Sequence, residues 1–188
     1  MLNDRIQIIA EVKTHSPFGW ESPKSWDELF EVADSIGDML SIHTDPRWHG
    51  SFEILKKARK LTEKPILAKG IHHSDKDIQM AIDCGADWVL VVGRIPKIHL
   101  EKCLIELYTL EELASLPKGV RAVWNSRNLT DGSRKSETFE AARKSWDGWL
   151  CQASNIQTVD DIKTGADAVL VGTNLEKFAQ SLAQNNRS

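Results

Sequence analysis

Residues 7–13 read QIIAEVK, an apolar run that ends on charge, and the fold follows from how often that pattern returns. Seven more short apolar runs come after it: MLSIHT (39–44), PILAK (65–69), WVLVVG (88–93), LIELY (104–108), RAVWN (121–125), WLCQAS (149–154) and AVLVGT (168–173). Each has the length of one buried strand. Lys13, Lys69, Glu106 and Asn125 sit toward the C-terminal ends of four different runs. Polar residues at that end of parallel strands are where a (β/α)8 barrel places its chemistry.

Between the runs the period changes to that of helices. SWDELFEVADSI (25–36) opens on a Ser cap, carries acids in its first turn and puts Trp26, Leu29, Phe30 and Ala33 on one face. Capped helices are likewise predicted over 51–61, 74–84, 109–116 and 158–163, with Gly85 and Gly165 as stops. Shorter ones are expected over 95–103, 136–145 and 176–184, while LTDGSRK (129–135) reads as a mobile loop over the strand ends. CGADWVLVVG (84–93) and TGADAVLVGT (164–173) share a GAD-x-VLV pattern. That echo marks either a half-barrel repeat or αβ turns that converge on one solution. The expectation is an α/β protein, one minimal (β/α)8 barrel domain over residues 1–188 with short loops.

Composition limits the partners. With 41% hydrophobic residues the chain can bury one good core. A net charge of −3 with mixed signs offers no footprint for nucleic acid or an acidic membrane, so an anionic small molecule would need a local basic site. Cys84, Cys103 and Cys151 are odd in number and lack CxxC spacing, which argues against a disulfide framework or zinc site and for a reducing cytoplasm. The N-terminal residues contain charges and no long apolar core, and no stretch is long enough to span a bilayer. The six histidines show no metal spacing and are expected on the surface or in loops. Of the seven tryptophans, Trp26, Trp88, Trp146 and Trp149 read as packing residues, whereas Trp20 and Trp48 fall in loops at the catalytic face.

The polar residues at the strand ends carry the chemistry. Glu11 and Lys13 are two apart and project to one face, where they must pair as a rim salt bridge or meet a ligand. Lys69 closes its strand after Ile66, Leu67 and Ala68, and an ammonium beside a second lysine suits a general acid. Glu106 interrupts an apolar run, so burial should raise its pKa toward that of a useful base.

In IIAEVKTHSP, LSIHTDPRWHGSFEIL, PILAK, GADWVLVV, LIELYTLEEL, WNSRNL, ASNIQTVDDI and GADAVLVGTNL, the chain resembles the indole-3-glycerol phosphate synthases of the phosphate-binding barrel superfamily. These segments run in the family's order over residues 8–175. The resemblance implies a carboxy-lyase of tryptophan biosynthesis. It closes the ring of a carboxyphenylamino-deoxyribulose phosphate, with loss of carbon dioxide and water, and uses no metal or organic cofactor. By the same resemblance Lys69 is the general acid at the substrate carbonyl and Glu106 handles the proton of dehydration. Glu11 and Lys13 match the acid and lysine of the first strand, the lysine contacting the substrate carboxylate. Asn125, Arg127 and Ser154 match residues of the sixth and seventh strands. Phosphate is expected at the amides around Asn155, Gly172, Thr173 and Asn174, with Ser16 assisting.

The chain also departs from that pattern. Ala153, Ser154 and Asn155 stand where the family has glutamate, serine and glycine, so a substrate-binding carboxylate is missing. Gly70 and Ile71 replace an Asp-Phe pair, and His43 stands where leucine is usual. Only six residues precede Gln7, against several dozen in the family, including a helix that lids the barrel; its loss is expected to slow the enzyme. Two readings follow: a minimal synthase of reduced activity, or a catalytically eroded barrel that binds a phosphorylated ligand or a partner protein.

Overall fold

A computed structural model describes residues 6–185. Its eight parallel strands close into a barrel. They are β1 (Gln7–Val12), β2 (Met39–His43), β3 (Ile66–Lys69), β4 (Trp88–Val92), β5 (Cys103–Glu106), β6 (Arg121–Asn125), β7 (Leu150–Ala153) and β8 (Ala168–Val171). Each strand pairs with the next in the chain, and β1 closes the ring against β8 with Gln7 opposite Ala168 and Ala10 opposite Val171. The predicted runs overshoot most strands by one or two residues. Lys13, Thr44, Gly93, Ser154, Gly172 and Thr173 lie in the loops just past the strand ends.

Six α-helices cover the outside: α1 (Trp26–Ile36), α2 (Phe52–Leu61), α3 (Asp75–Asp83), α4 (Leu110–Ala114), α5 (Phe139–Ser145) and α6 (Leu175–Asn185). Ser25, Ser51, Ser74, Thr109 and Thr138 cap the first five, each accepting a bond from a backbone amide of the first turn. Two predicted helices are absent. Residues 95–103 hold only the 3-10 turn Leu100–Lys102, because Pro96 removes an amide donor and His99 takes a left-handed φ of 50°. Residues 158–163 likewise form only the turn Val159–Asp161, as Gly165 stops the chain after too few residues for an α-helix to propagate. A small hairpin pairing His15–Ser16 with Trp20–Glu21 was not foreseen. Among the described residues no helix is long and apolar enough to cross a membrane.

Strand alternation divides the core in two. Ile8, Ala10 and Val12 face outward with Leu29, Phe30 and Ala33 of α1 and Phe178 of α6. Ile9, Leu67, Leu90, Leu104, Val123, Cys151 and Leu170 fill the barrel. At the N-terminal mouth the Arg121 guanidinium lies 4.2 Å from the centre of the Trp88 ring and 5.5 Å from that of Trp149, so an arginine at the start of β6 bridges the tryptophans that open β4 and precede β7 by cation–π contact. All three cysteines are buried and free.

The GAD echo extends beyond a shared turn. Asp87 Oδ2 accepts from the Ile66 amide at 2.9 Å and from Arg59 at 3.0 Å, and Arg59 also donates to the carbonyls of Thr62 and Lys64. Four strands on, Asp167 Oδ2 accepts from the Leu150 amide at 2.8 Å and from Arg143 at 3.1 Å, and Arg143 donates to the carbonyls of Trp146 and Gly148. Gly85 and Gly165, at φ of 103° and 86°, turn the chain beneath the two arginine stems. The same clamp holds the same corner of each half.

Phe178, wholly buried, joins α6 to the barrel wall. Phe178→Ala should cost about 3–5 kcal/mol in urea unfolding, as large core truncations do; a loss below about 1 kcal/mol would mean that α6 is not seated on this core.

Candidate active site

Inward positions at the C-terminal rim decide the site's character. Alternate strands β1, β3 and β5 carry Glu11, Lys69 and Glu106 there, while the matching place on β7 is Ala153, buried in the inner apolar cluster. The intervening strands contribute His43, Val92, Asn125 and, just past β8, Gly172. Register fixes their neighbours: His43 stands opposite Lys69, Val92 opposite Glu106, and Asn125 opposite Ala153. Above them opens a cavity of about 910 Å³ including its mouth.

All the residues singled out from the sequence line this one cavity: Glu11, Lys13, Ser16, Lys69, Glu106, Asn125, Arg127, Ser154, Asn155, Gly172, Thr173 and Asn174. Glu11 lies at its floor. Its Oε1 accepts from Lys69 Nζ at 2.6 Å, and His43 Nε2 approaches the same oxygen to 2.6 Å. Its Oε2 rests against Gly172, where a methyl group would fall 1.7 Å from that oxygen, so only glycine admits the carboxylate. Burial opposes ionisation of Glu11, yet Lys69, His43 and Lys13 together hold its pKa well below the usual carboxylate range.

Of the two readings of Glu11 and Lys13, the rim salt bridge is not what forms, since the acid pairs with Lys69 two strands along on β3. Lys13, one residue past β1, instead donates to Thr173 Oγ1 at 3.0 Å and lies 5.4 Å from the centre of the Trp20 ring. Burial pushes its pKa down to about 8 against the pull of Glu11, and Lys69 and Arg127 add to the push.

Glu106 has the opposite environment. Burial raises its pKa, only partly opposed by Lys69, by a hydrogen bond from Asn125 and by Lys135. Asn125 Nδ2 donates to Glu106 Oε1 at 2.9 Å, while its Oδ1 accepts from Ser154 Oγ at 2.7 Å and from the Arg127 amide at 2.9 Å. Ser154 and Asn155 both take left-handed φ, 68° and 56°, and this sharp bend after β7 turns the serine hydroxyl onto Asn125. Two carboxylates in one cup, one held charged and one pushed toward neutrality, have the signature of separate proton-handling roles.

At the far side Gly172, Thr173 and Asn174 line the cavity and lead into α6, which sets the positive end of the helix dipole beside it. Trp48 lines the cavity and stacks on His43 with ring centres 6.0 Å apart, whereas Trp20 serves Lys13 and is not among the lining residues. Phe18, at the tip of the hairpin, lines the cavity, lies edge-on to Trp48 at 6.3 Å and packs against Gly132 of the 129–135 loop. Gly70 fits against Thr44 Oγ1, which meets His72 Nε2 at 3.0 Å; a side chain at position 70 would disrupt that contact.

The histidines were expected on the surface or in loops; His72 lies in the loop after β3 but is buried, and His43 is buried at the end of β2. The available signal was phase: Met39, Ser41 and His43 alternate along one strand, so a residue two steps from an interior methionine also points inward. Among the described residues no group of three or more His, Cys, Asp or Glu side chains could hold a metal ion.

A closed eight-stranded barrel with lysines and glutamates gathered at its C-terminal rim defines the class as (β/α)8-barrel enzymes. The profile of the indole-3-glycerol phosphate synthase family matches residues 1–187. The chain is 30% identical to the indole-3-glycerol phosphate synthase of Pyrococcus abyssi over 197 residues, spanning 90% of this chain and 85% of that one. Identity to the synthase of Sulfurisphaera tokodaii is 31% over 202 residues, spanning 93% and 80%. For that of Bacillus pumilus it is 32% over 208 residues, spanning 94% and 83%. Among solved structures, 3-hexulose-6-phosphate synthase matches at a TM-score of 0.64 over 94% of this chain and 99% of its own, with 14% identity, a likeness of fold alone. The chain belongs to the indole-3-glycerol phosphate synthase family.

The Glu106 environment has a stability consequence. In acid, below the ordinary carboxylate range, the group is neutral whether folded or unfolded. As pH rises the unfolded chain ionises first, so the native state loses stability until its own raised pKa is passed. Glu106→Gln should therefore match the parent in acid and exceed it at neutral pH. Urea midpoints at the two pH values measure this, and an advantage that shrinks with rising pH would contradict it.

Proposed function

We propose that the cup carries out the synthase reaction on 1-(2-carboxyphenylamino)-1-deoxyribulose 5-phosphate, giving indole-3-glycerol phosphate, carbon dioxide and water. The supporting observation is the convergence of Lys69, Glu11, Lys13 and Glu106 on one cavity that is also lined by Gly172, Thr173 and Asn174, the loop leading into α6. In this reading the phosphate lies against the amides of Gly172, Thr173, Asn174 and Asn155, with Ser16 closing from the first loop. Lys13 and Arg127 face the substrate carboxylate, and Asn125 and Ser154 hold Glu106 and the loop after β7 in place.

Chemistry follows from the donors. As the aromatic carbon attacks the ketone, negative charge grows on its oxygen, and Lys69 supplies the proton. The new carbon–carbon bond forms, carbon dioxide leaves the ring carbon and aromaticity returns. Glu106 then handles the proton as the hydroxyl departs as water. Trp48 and Ile71 offer apolar surface to the aromatic ring. Ala153 brings no carboxylate to this layer, which fits a slow synthase and is also what a ligand-binding barrel without turnover would show.

The test is fluorescence of the indole product from purified protein. Lys69→Ala should lower turnover by about 10²- to 10⁴-fold, the usual worth of a positioned general acid. Micromolar binding of the substrate with no product from the parent protein would establish the binding barrel instead.

Activity should also fall on the alkaline side as Lys13 loses its proton near pH 8. Lys13→Arg keeps the charge at every accessible pH and should move that limb upward. A limb that stays in place assigns the alkaline loss to another group.

A further inference from the structure

His43 is buried, points into the barrel beneath the cavity and stacks within 6° of parallel on Trp48, which fixes the plane of its ring. Its Nε2 lies 2.6 Å from Glu11 Oε1, yet neither ring nitrogen makes a well-aligned hydrogen bond. The same oxygen is already engaged by Lys69 at 2.6 Å. Across β2 and β3, His43 and Lys69 stand directly opposite each other, so they flank Glu11 from neighbouring strands. The other carboxylate oxygen is pressed against Gly172 and has no room to turn. The charged groups that face the imidazole are Glu11 from β1, Lys13 from the loop just past it, Lys69 from β3, and Asp45 from the loop after β2. Burial lowers the pKa of the ring, against the pull of Glu11.

We infer that His43 is a positioning residue that keeps Glu11 partnered when Lys69 transfers its hydrogen bond to the substrate. The inference rests on Lys69 acting at the substrate carbonyl. In the resting cup the ammonium is bound to Glu11, and to reach a substrate oxygen it must leave. A buried carboxylate stripped of the Lys69 hydrogen bond is strongly destabilised, and that cost would be added to the barrier. A neutral imidazole with its proton on Nε2 stands at the same oxygen, close but misaligned while the lysine occupies the better direction. Once the lysine withdraws, the imidazole N–H can align and take over. Glu11 then keeps its place on Gly172 and remains ionised, ready to receive the lysine again after product leaves.

Three forms of the protein test this. His43→Leu removes the donor and keeps an apolar residue against Trp48. Its kcat should fall about 10- to 100-fold, the worth of one hydrogen bond to a charged group, with KM changed by no more than about twofold. His43→Gln, whose side-chain amide reaches the place of the imidazole Nε2, should recover most of the loss at the same urea midpoint. Nitrogen NMR of histidine-labelled protein supplies a readout free of turnover. His43 should be a neutral Nε2–H tautomer, and its proton should move downfield in Lys69→Met, where the competing donor is gone. An Nδ1–H tautomer, an Nε2 proton unmoved by Lys69→Met, full kcat in His43→Leu, or Gln no better than Leu at equal stability each overturns the assignment. If the parent protein makes no product, the proposed function fails, and the two NMR measurements still decide the role of His43.

Discussion

The Glu11 carboxylate organises the rim. It is nearly excluded from water, and it holds its charge because Lys69 and His43 converge on one oxygen and Lys13 stands nearby. Removing any single partner would leave a buried charge undercompensated, which costs far more than the pair itself contributes relative to an apolar replacement. The barrel must therefore bring β1, β2, β3 and β8 into one register at this level, and Gly172 is the position where even a methyl group would break the arrangement. Strand stagger, interior packing and electrostatics meet at this point.

Glu106 sits across the cup in a different environment. Where Glu11 has two cationic or donor groups on one oxygen, Glu106 has an amide and a more distant field, so burial wins. The contrast is made by neighbours rather than by residue type. An acid whose pKa is lowered beside a lysine and an acid whose pKa is raised beside an amide are suited to different proton-handling roles. Lys13, displaced into the loop and drawn down toward neutral pH, completes a cup in which three groups respond to pH in different ways.

Much of this was legible in the chain. Eight apolar runs ending on polar residues fixed both the number of strands and the rim that carries chemistry, because strand period and barrel handedness leave little choice. The capped helices were equally readable, since Ser25, Ser74 and Thr109 mark their own boundaries. Partnerships were not readable. Glu11 and Lys13 look like a pair in sequence, but the strand ends at Val12 and the next residue swings into the loop, so the lysine meets Thr173 instead. His43 was legible as a strand residue standing where leucine is usual, but only the register of β2 against β3 shows that it faces Glu11. The two helices that failed to form carry adequate apolar spacing, but Pro96 and an early glycine cut them short.

The paired arginine clamps bear on how the chain could be divided. Arg59 with Asp87 lies wholly before the end of β4, and Arg143 with Asp167 wholly after it. A cut between β4 and β5 would thus leave each fragment with its own intact corner lock, while breaking strand ladders only at β4–β5 and β1–β8. The active rim takes the other course: Glu11 and Lys69 come from one side of such a cut, and Glu106 and Asn125 from the other. Architecture in this protein is modular by halves, and chemistry exists only where the halves meet.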